Sequence, residues 1–197
     1  LKYGIDFVVH SSTKFLNGHG TGTSGVVVGK KDVVLQKKLY GIQKMIGGIC
    51  SPFEAFLLNN GVKTLPLRME QHQENALQLA HFLQQHKAVS FVNYLGLENH
   101  ADHILAKDQM TGFGGMLSFE LIGGLEAGMQ FQRNIQFCTL TASLGTADTL
   151  VTHSASTSHV NVPKEQRLQN GITDGLIRVS VGLENIEDII ADFENAM

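Results

Sequence analysis

Apolar and polar positions fall into short unbroken runs and longer helical stripes that take turns along the chain. Asp6-Phe7-Val8-Val9-His10 carries an apolar run with no alternation, which predicts a buried strand of a mostly parallel sheet. A stretch rich in hydroxyls and glycine, residues 11–25, leads to Val26-Val27-Val28, a second predicted buried strand closed by Gly29. Asp32 then opens a helical segment with Val33, Val34, Leu35 and Leu39, its carboxylate near the positive end of the helix. Ser51 followed by Pro52 predicts an N-cap and first turn for a helix over residues 53–60, with Gly61 as its stop.

The longest helical signal covers residues 63–86. Leu67, Ala76, Leu77, Leu79, Ala80, Phe82 and Leu83 recur at helical spacing between Glu70, Gln73, Gln78 and Gln84. Pro66 favours a bend near its start, which divides the chain into domains over residues 1–65 and 66–197. Beyond it the pattern predicts strands at 90–94, 116–122 and 176–181, a helix at 125–134 and a loop-rich stretch at 142–159. Residues 184–197 form a closing amphipathic helix through Ile186, Ile189, Ile190, Phe193 and Met197. Alternation of this kind predicts α/β or α+β layering.

Of the 197 residues 43% are hydrophobic and 17% charged, enough apolar material for a core. The 15 Lys+Arg against 18 Asp+Glu give a net charge of −3. No basic excess is left to neutralise phosphates, which disfavours a nucleic-acid scaffold. No run approaches the roughly 18 apolar residues of a membrane span, and no signal pattern opens the chain, so a soluble cytoplasmic protein is expected. Cys50 and Cys138 are too few for a disulfide framework and read as small core residues. Leu1 is no initiator methionine, and Tyr3-Gly4-Ile5-Asp6 runs straight into a strand, so the sequence reads as a piece of a longer chain.

The sharpest chemical signal is His10-Ser11-Ser12-Thr13-Lys14-Phe15 at the end of the first strand. Hydroxyls three and one residues before a lysine, on a turn with free backbone N–H groups, suit a phosphate-bearing ligand. The lysine can also do covalent chemistry with an aldehyde. Pyridoxal phosphate needs both. On its chemistry alone, the hexapeptide also describes a solvated loop lysine among turn-forming serines.

Residues 4–20, from Gly4-Ile5-Asp6 through Ser11-Ser12-Thr13-Lys14 to Gly18-His19-Gly20, closely resemble the cofactor-lysine motif of the Cys/Met-metabolism family of pyridoxal-phosphate enzymes. Lys63-Thr64-Leu65-Pro66-Leu67-Arg68-Met69 is similar to that family's helix between its large and small domains. Ser143-Leu144-Gly145, with residues 153–159 after it, resembles the substrate loop, and residues 176–184 the carboxylate-binding strand. The resemblance implies the α/β fold-type-I, aspartate aminotransferase-like architecture, with residues 1–65 ending the cofactor domain and 66–197 forming the small domain. It implies that Lys14 carries pyridoxal 5'-phosphate, that Ser11 and Thr13 hold its phosphate, and that Arg178 and Ser143 bind the substrate carboxylate.

The strand pattern supports the Arg178 assignment separately. Leu176, Arg178 and Ser180 share one face, while Ile177, Val179 and Val181 share the other. A planar guanidinium binds a carboxylate through two oriented hydrogen bonds. The alternative for Arg178 is a structural ion pair with an acid such as Glu184.

Other patterns lead away from chemistry. Gly20-Thr21-Gly22-Thr23-Ser24-Gly25 satisfies G-x-G-x-x-G but precedes a predicted strand, where a dinucleotide site needs a helix. His100 and His103 lack a third ligand at useful spacing and are expected at the surface, as are His72, His81 and His86 on the long helix. No metal is expected.

In the resembled family an aspartate well upstream of the lysine meets the cofactor ring nitrogen, and a stacking aromatic lies further upstream. The 13 residues before Lys14 hold neither. An N-terminal half is therefore expected on another chain or outside this sequence; failing that, the chain is a non-catalytic fragment retaining the fold. The resemblance implies γ-elimination on a sulfur amino acid, with a 2-oxo acid, ammonia and a thiol as products, in a homo-oligomer built as a dimer of dimers. Ala142 before Ser143 favours an uncharged substrate tail. γ-Replacement, as in O-acetylhomoserine sulfhydrylases and cystathionine γ-synthases, is the alternative.

Overall fold

Strands β1 (Phe7–Ser11) and β2 (Gly25–Gly29) pair antiparallel, with Phe7 opposite Gly29 and Ser11 opposite Gly25. The computed structural model in which they lie describes residues 3–30 and 33–197. Both strands were expected to be buried in a mostly parallel sheet, and here the structure differs. They form a two-stranded ribbon, and Val9, Val27 and Val28 are exposed. An unbroken apolar run signals burial on two faces, but among the described residues each strand has only the other as its neighbour.

Helix α1 (Val33–Ile46) follows; the placement of Asp32 at its start lies outside the described residues. Helix α2 (Pro52–Lys63) begins as the sequence indicates, with the Ser51 hydroxyl accepting the Glu54 N–H at 3.2 Å. It does not stop at Gly61, which is a buried helical residue. A Cβ there would overlap the Asn17 carbonyl oxygen, so this glycine serves close packing instead of termination. Cys50 is half-buried rather than a core residue.

Contacts divide the chain into two compact units, Leu1–Leu65 and Pro66–Met197. Thr64 leaves helical geometry (φ −104°, ψ 4°), and Pro66 sits in the first turn of α3 (Leu65–Gln85), where its missing N–H has no intrahelical partner to lose. Ala76, Leu79, Ala80 and Leu83 of α3 are fully buried. Leu67, expected on that face, is exposed, and His72, expected at the surface, is fully buried.

The second unit is built on a five-stranded sheet of β3 (Val89–Asn93), β4 (Met116–Leu121), β5 (Thr139–Leu140), β6 (Leu150–His153) and β7 (Leu176–Ser180). Their spatial order is β3-β4-β7-β6-β5, antiparallel except for the β5–β6 pair. The sequence leaves β5 and β6 unrecognised inside or beside its loop-rich stretch, because two- and four-residue strands are too short for a period to show. Short helices α4 (His103–Gln109) and α6 (Lys164–Gln169) escape for the same reason.

Leu117, Phe119, Leu121, Val151, Ile177 and Val179 line one sheet face and join α3, α5 (Gly124–Asn134) and α7 (Ile186–Ala196) in a single core. Phe119, Phe131 and Phe193 meet there with ring centroids 5.3–6.0 Å apart. Cys138 belongs to this core, and burial raises its thiol pKa, helped by the adjacent Asp192 carboxylate. His103 is also buried: its Nδ1–H donates to the Leu95 carbonyl at 2.8 Å and its ring stacks on Phe113. No three potential ligands converge to hold a metal among the described residues.

Candidate active site

The candidate residues form two sets, one in each unit. In the first unit β1 ends at Ser11, whose side chain is exposed, and the chain turns through Ser12–Leu16. Lys14 breaks the helical geometry of that turn (φ −89°, ψ −139°) and is half-buried. Two backbone bonds close the turn around it, Asn17 N–H to the Ser12 carbonyl at 3.1 Å and Gly18 N–H to the Lys14 carbonyl at 2.8 Å.

Ser24, just before β2, holds the turn from beneath. Its carbonyl accepts both the backbone N–H and the hydroxyl of Thr13, each at 3.2 Å, and its own N–H donates to the Thr13 hydroxyl at 3.0 Å. The buried Ser12 hydroxyl meets the Ser24 hydroxyl at 2.7 Å. Helix α2 fixes the rest of the loop. Glu54 accepts the Thr23 N–H at 3.1 Å, and this bond together with those from Ser51 lowers its carboxyl pKa. Gly61 lets the helix backbone press against Asn17, three residues beyond Lys14.

An amine, an exposed hydroxyl and a second hydroxyl on one braced turn are the donor set that a phosphate-bearing aldehyde requires. Lys14, Ser11 and Thr13 therefore fit pyridoxal phosphate. Thr13 keeps its proton on the Ser24 carbonyl, so donating to a phosphate requires that hydroxyl to turn. The glycine-rich segment before β2 leads into a strand, as its rejection as a dinucleotide site required.

In the second unit Arg178 stands on the sheet face opposite the core. Its register partners are Ser118 on β4 and Thr152 on β6. Its Nη2 donates to the Ser143 carbonyl at 2.9 Å and reaches the Thr152 hydroxyl at 3.3 Å. The Nε–H is shielded from solvent and has no hydrogen-bond partner among the described residues. Burial lowers the guanidinium pKa. Glu184 is not its ion partner: that carboxylate accepts the N–H and hydroxyl of Thr149.

Ser143 and Arg178 are thus brought together, as are Ser11, Thr13 and Lys14. Sequence reasoning missed Thr152, because its place beside Arg178 depends on the unrecognised β6. His153, which opens the second part of the resembled substrate loop, is fully buried. Its Nε2–H donates to the Asp174 carbonyl at 2.7 Å, leaving Nδ1 to accept the Ser156 hydroxyl at 2.8 Å. The imidazole is spent on bracing the loop.

Fold and donor sets together define a fold-type-I pyridoxal-phosphate-dependent enzyme architecture. The chain belongs to the Cys/Met metabolism PLP-dependent enzyme family, whose profile matches residues 1–197. L-Methionine gamma-lyase of Fusobacterium nucleatum subsp. nucleatum is 48% identical over 197 residues, which are 100% of this chain and 50% of that protein. Cystathionine beta-lyase of Coxiella burnetii is 44% identical over 100% of this chain and 51% of its own length. The crystal structure of cystathionine gamma synthase from Xanthomonas oryzae pv. oryzae in complex with aminoacrylate and cysteine superposes with a TM-score of 0.92 at 41% identity. That match covers 99% of this chain and 50% of the other. The chain spans about half the length of the curated relatives it matches. Among the described residues no helix is long and apolar enough to cross a membrane.

Proposed function

We propose that the chain carries the cofactor lysine and the carboxylate-binding side of an enzyme that performs γ-elimination on a sulfur-containing amino acid. In this reading residues 1–65 end the cofactor domain and residues 66–197 are the small domain. The observation that carries the reading is Arg178: a guanidinium on a polar sheet face, held by a carbonyl and a hydroxyl, with no carboxylate partner among the described residues. A substrate carboxylate would supply the missing partner. The likeness to an L-methionine gamma-lyase supports the choice of elimination. Ala142, next to Ser143, supports an uncharged substrate tail.

Pyridoxal phosphate, when bound, supplies an electron sink for negative charge at the substrate Cα. Lys14 Nζ holds it and moves the Cα proton. Ser11 and Thr13 hold its phosphate. Arg178 fixes the carboxylate and so the direction of the Cα–H bond, with Ser143 lining the same pocket. The other half of the site comes from a segment outside this sequence, in a homo-oligomer, or from a separate N-terminal half on another chain. The second reading, γ-replacement, draws on the likeness to cystathionine gamma synthase. Release of a 2-oxo acid and ammonia, against formation of a new Cγ–S bond with the amino group retained, separates the two.

The test is a pair of substitutions in the complete enzyme. Lys14→Ala abolishes turnover, since one amine does both jobs; more than a few per cent of residual activity refutes the assignment. Arg178→Ala lowers kcat/KM by roughly 10²–10⁴-fold, with Arg178→Lys between, while visible cofactor absorbance and melting temperature stay near those of the unsubstituted enzyme. A large drop in melting temperature with unchanged kcat/KM would show Arg178 to be structural.

A further inference from the structure

Arg178 is a long side chain, and one edge of its guanidinium is held by the Ser143 carbonyl. Whatever places that carbonyl also sets the direction of the guanidinium. Residues 142–149 contain no regular secondary structure, and side chains from the end of β7 and the residues after it bond into them.

Two of them are Ser180, the last residue of β7, and Glu184, four residues beyond it. Ser180, on the Arg178 face and 1% exposed, accepts the Gly145 N–H at 2.8 Å. That bond lies two residues from the Ser143 carbonyl, and Gly145 has a left-handed backbone (φ 78°) that disfavours other residues. Glu184 accepts the Thr149 N–H at 2.5 Å and the Thr149 hydroxyl at 2.8 Å, while the hydroxyl oxygen accepts the Gly182 N–H at 2.9 Å. The Leu183 N–H adds a bond to the Ala147 carbonyl at 2.7 Å. The fit is too tight at Gly182 for any side chain, because a Cβ would overlap the Ala147 carbonyl and the Thr149 nitrogen.

This clasp is itself anchored to α3. His72 Nδ1–H donates to the Val181 carbonyl at 2.6 Å, and Asn75 Nδ2 donates to the carbonyls of Gly182 and Glu184 at 3.0 and 2.9 Å. The helix therefore holds the strand end, the strand end holds the loop, and the loop holds Arg178.

We infer that Ser180 and Glu184 are positioning residues, which pin Gly145 and Thr149 and thereby aim the Arg178 guanidinium at the carboxylate of the amino-acid substrate. The inference rests on the carboxylate role proposed above for Arg178. It assigns no contact with substrate to either residue.

The test uses the cofactor-loaded complete enzyme and two probes: L-norleucine, which replaces the methionine sulfur by a methylene and has no leaving group, and L-norleucinamide, which lacks the carboxylate. Calorimetric Kd values are measured for the unsubstituted protein, Arg178→Ala, Ser180→Ala and Glu184→Gln. Ser180→Ala is expected to weaken norleucine binding about three- to tenfold, the loss of one neutral hydrogen bond passed on to the guanidinium, and to leave the amide unchanged. Glu184→Gln keeps an acceptor for the Thr149 N–H, gives a smaller shift in the same direction, and stands in if Ser180→Ala does not fold. If Arg178→Ala loses the preference for the acid while the other two variants keep it, or weaken acid and amide alike, the positioning role is overturned and the carboxylate role stands. If Arg178→Ala keeps the preference, the carboxylate role itself falls, and the positioning role falls with it.

Discussion

Gly61→Ala separates close packing from helix termination in one substitution. In an open helix the change stabilises, since alanine exceeds glycine by about 1 kcal/mol in helix propensity. Here the new Cβ would stand 2.8 Å from the Asn17 carbonyl carbon and 2.9 Å from its Cα, and would overlap its oxygen. All three are backbone atoms, so no rotamer change relieves the overlap. Either α2 or the segment after Lys14 has to move. Overpacking of this kind costs typically 1–3 kcal/mol. Set against the propensity gain, the net effect ranges from about zero to 2 kcal/mol of destabilisation. The displaced segment follows the Lys14 turn through the bonds of Asn17 and Gly18 to Ser12 and Lys14, so cofactor retention should fall along with stability. Urea unfolding midpoints and cofactor dissociation constants, measured on the same preparations, read both effects. A Gly61→Ala protein about 1 kcal/mol more stable, with unchanged cofactor affinity, would refute the close-approach argument.

Ser11→Ala and Thr13→Ala should each weaken cofactor retention by about ten- to hundredfold, the worth of a hydrogen bond to a charged group. Thr13→Ala should cost more, because it also removes the acceptor of the Ser24 N–H; unchanged cofactor affinity in the double variant would show that the hydroxyls only shape the turn. Asp192 accepts the N–H groups of Gln136 and Cys138 at 2.9 Å each. Burial alone would raise its pKa, but these bonds and that of the Phe137 N–H outweigh it and hold the carboxyl below its ordinary range. Its contribution to stability is therefore present above the unfolded-state pKa of about 4 and lost as pH falls through the lower folded value. Urea midpoints from pH 7 to pH 2 should show an acid loss that Asp192→Asn reduces, and an identical pH profile in that variant would contradict the assignment.

Local chemistry was legible in the sequence wherever it depends on neighbours along the chain. The Ser51–Pro52 helix start, the amphipathic stripe of α7 and the alternation of β7 that sets Arg178 apart from Ile177 and Val179 all follow from spacing within one element. The lysine turn was legible for the same reason, its hydroxyls lying within three residues of the amine. What spacing cannot carry is the identity of the neighbour across space. Gly61 has the composition of a helix stop, and only the approach of Asn17 makes it a packing residue. His72 and His103 look polar enough for the surface, but their Nδ1–H groups find the carbonyls of Val181 and Leu95 in the interior. Thr152 acquires its place beside Arg178 through strand register, and Ser180, whose face the alternation of β7 already gives, finds Gly145 through a loop bond 35 residues apart in sequence. Hydrophobic periodicity records how much surface an element buries, whereas hydrogen-bond partners brought in from distant segments are chosen by tertiary packing alone.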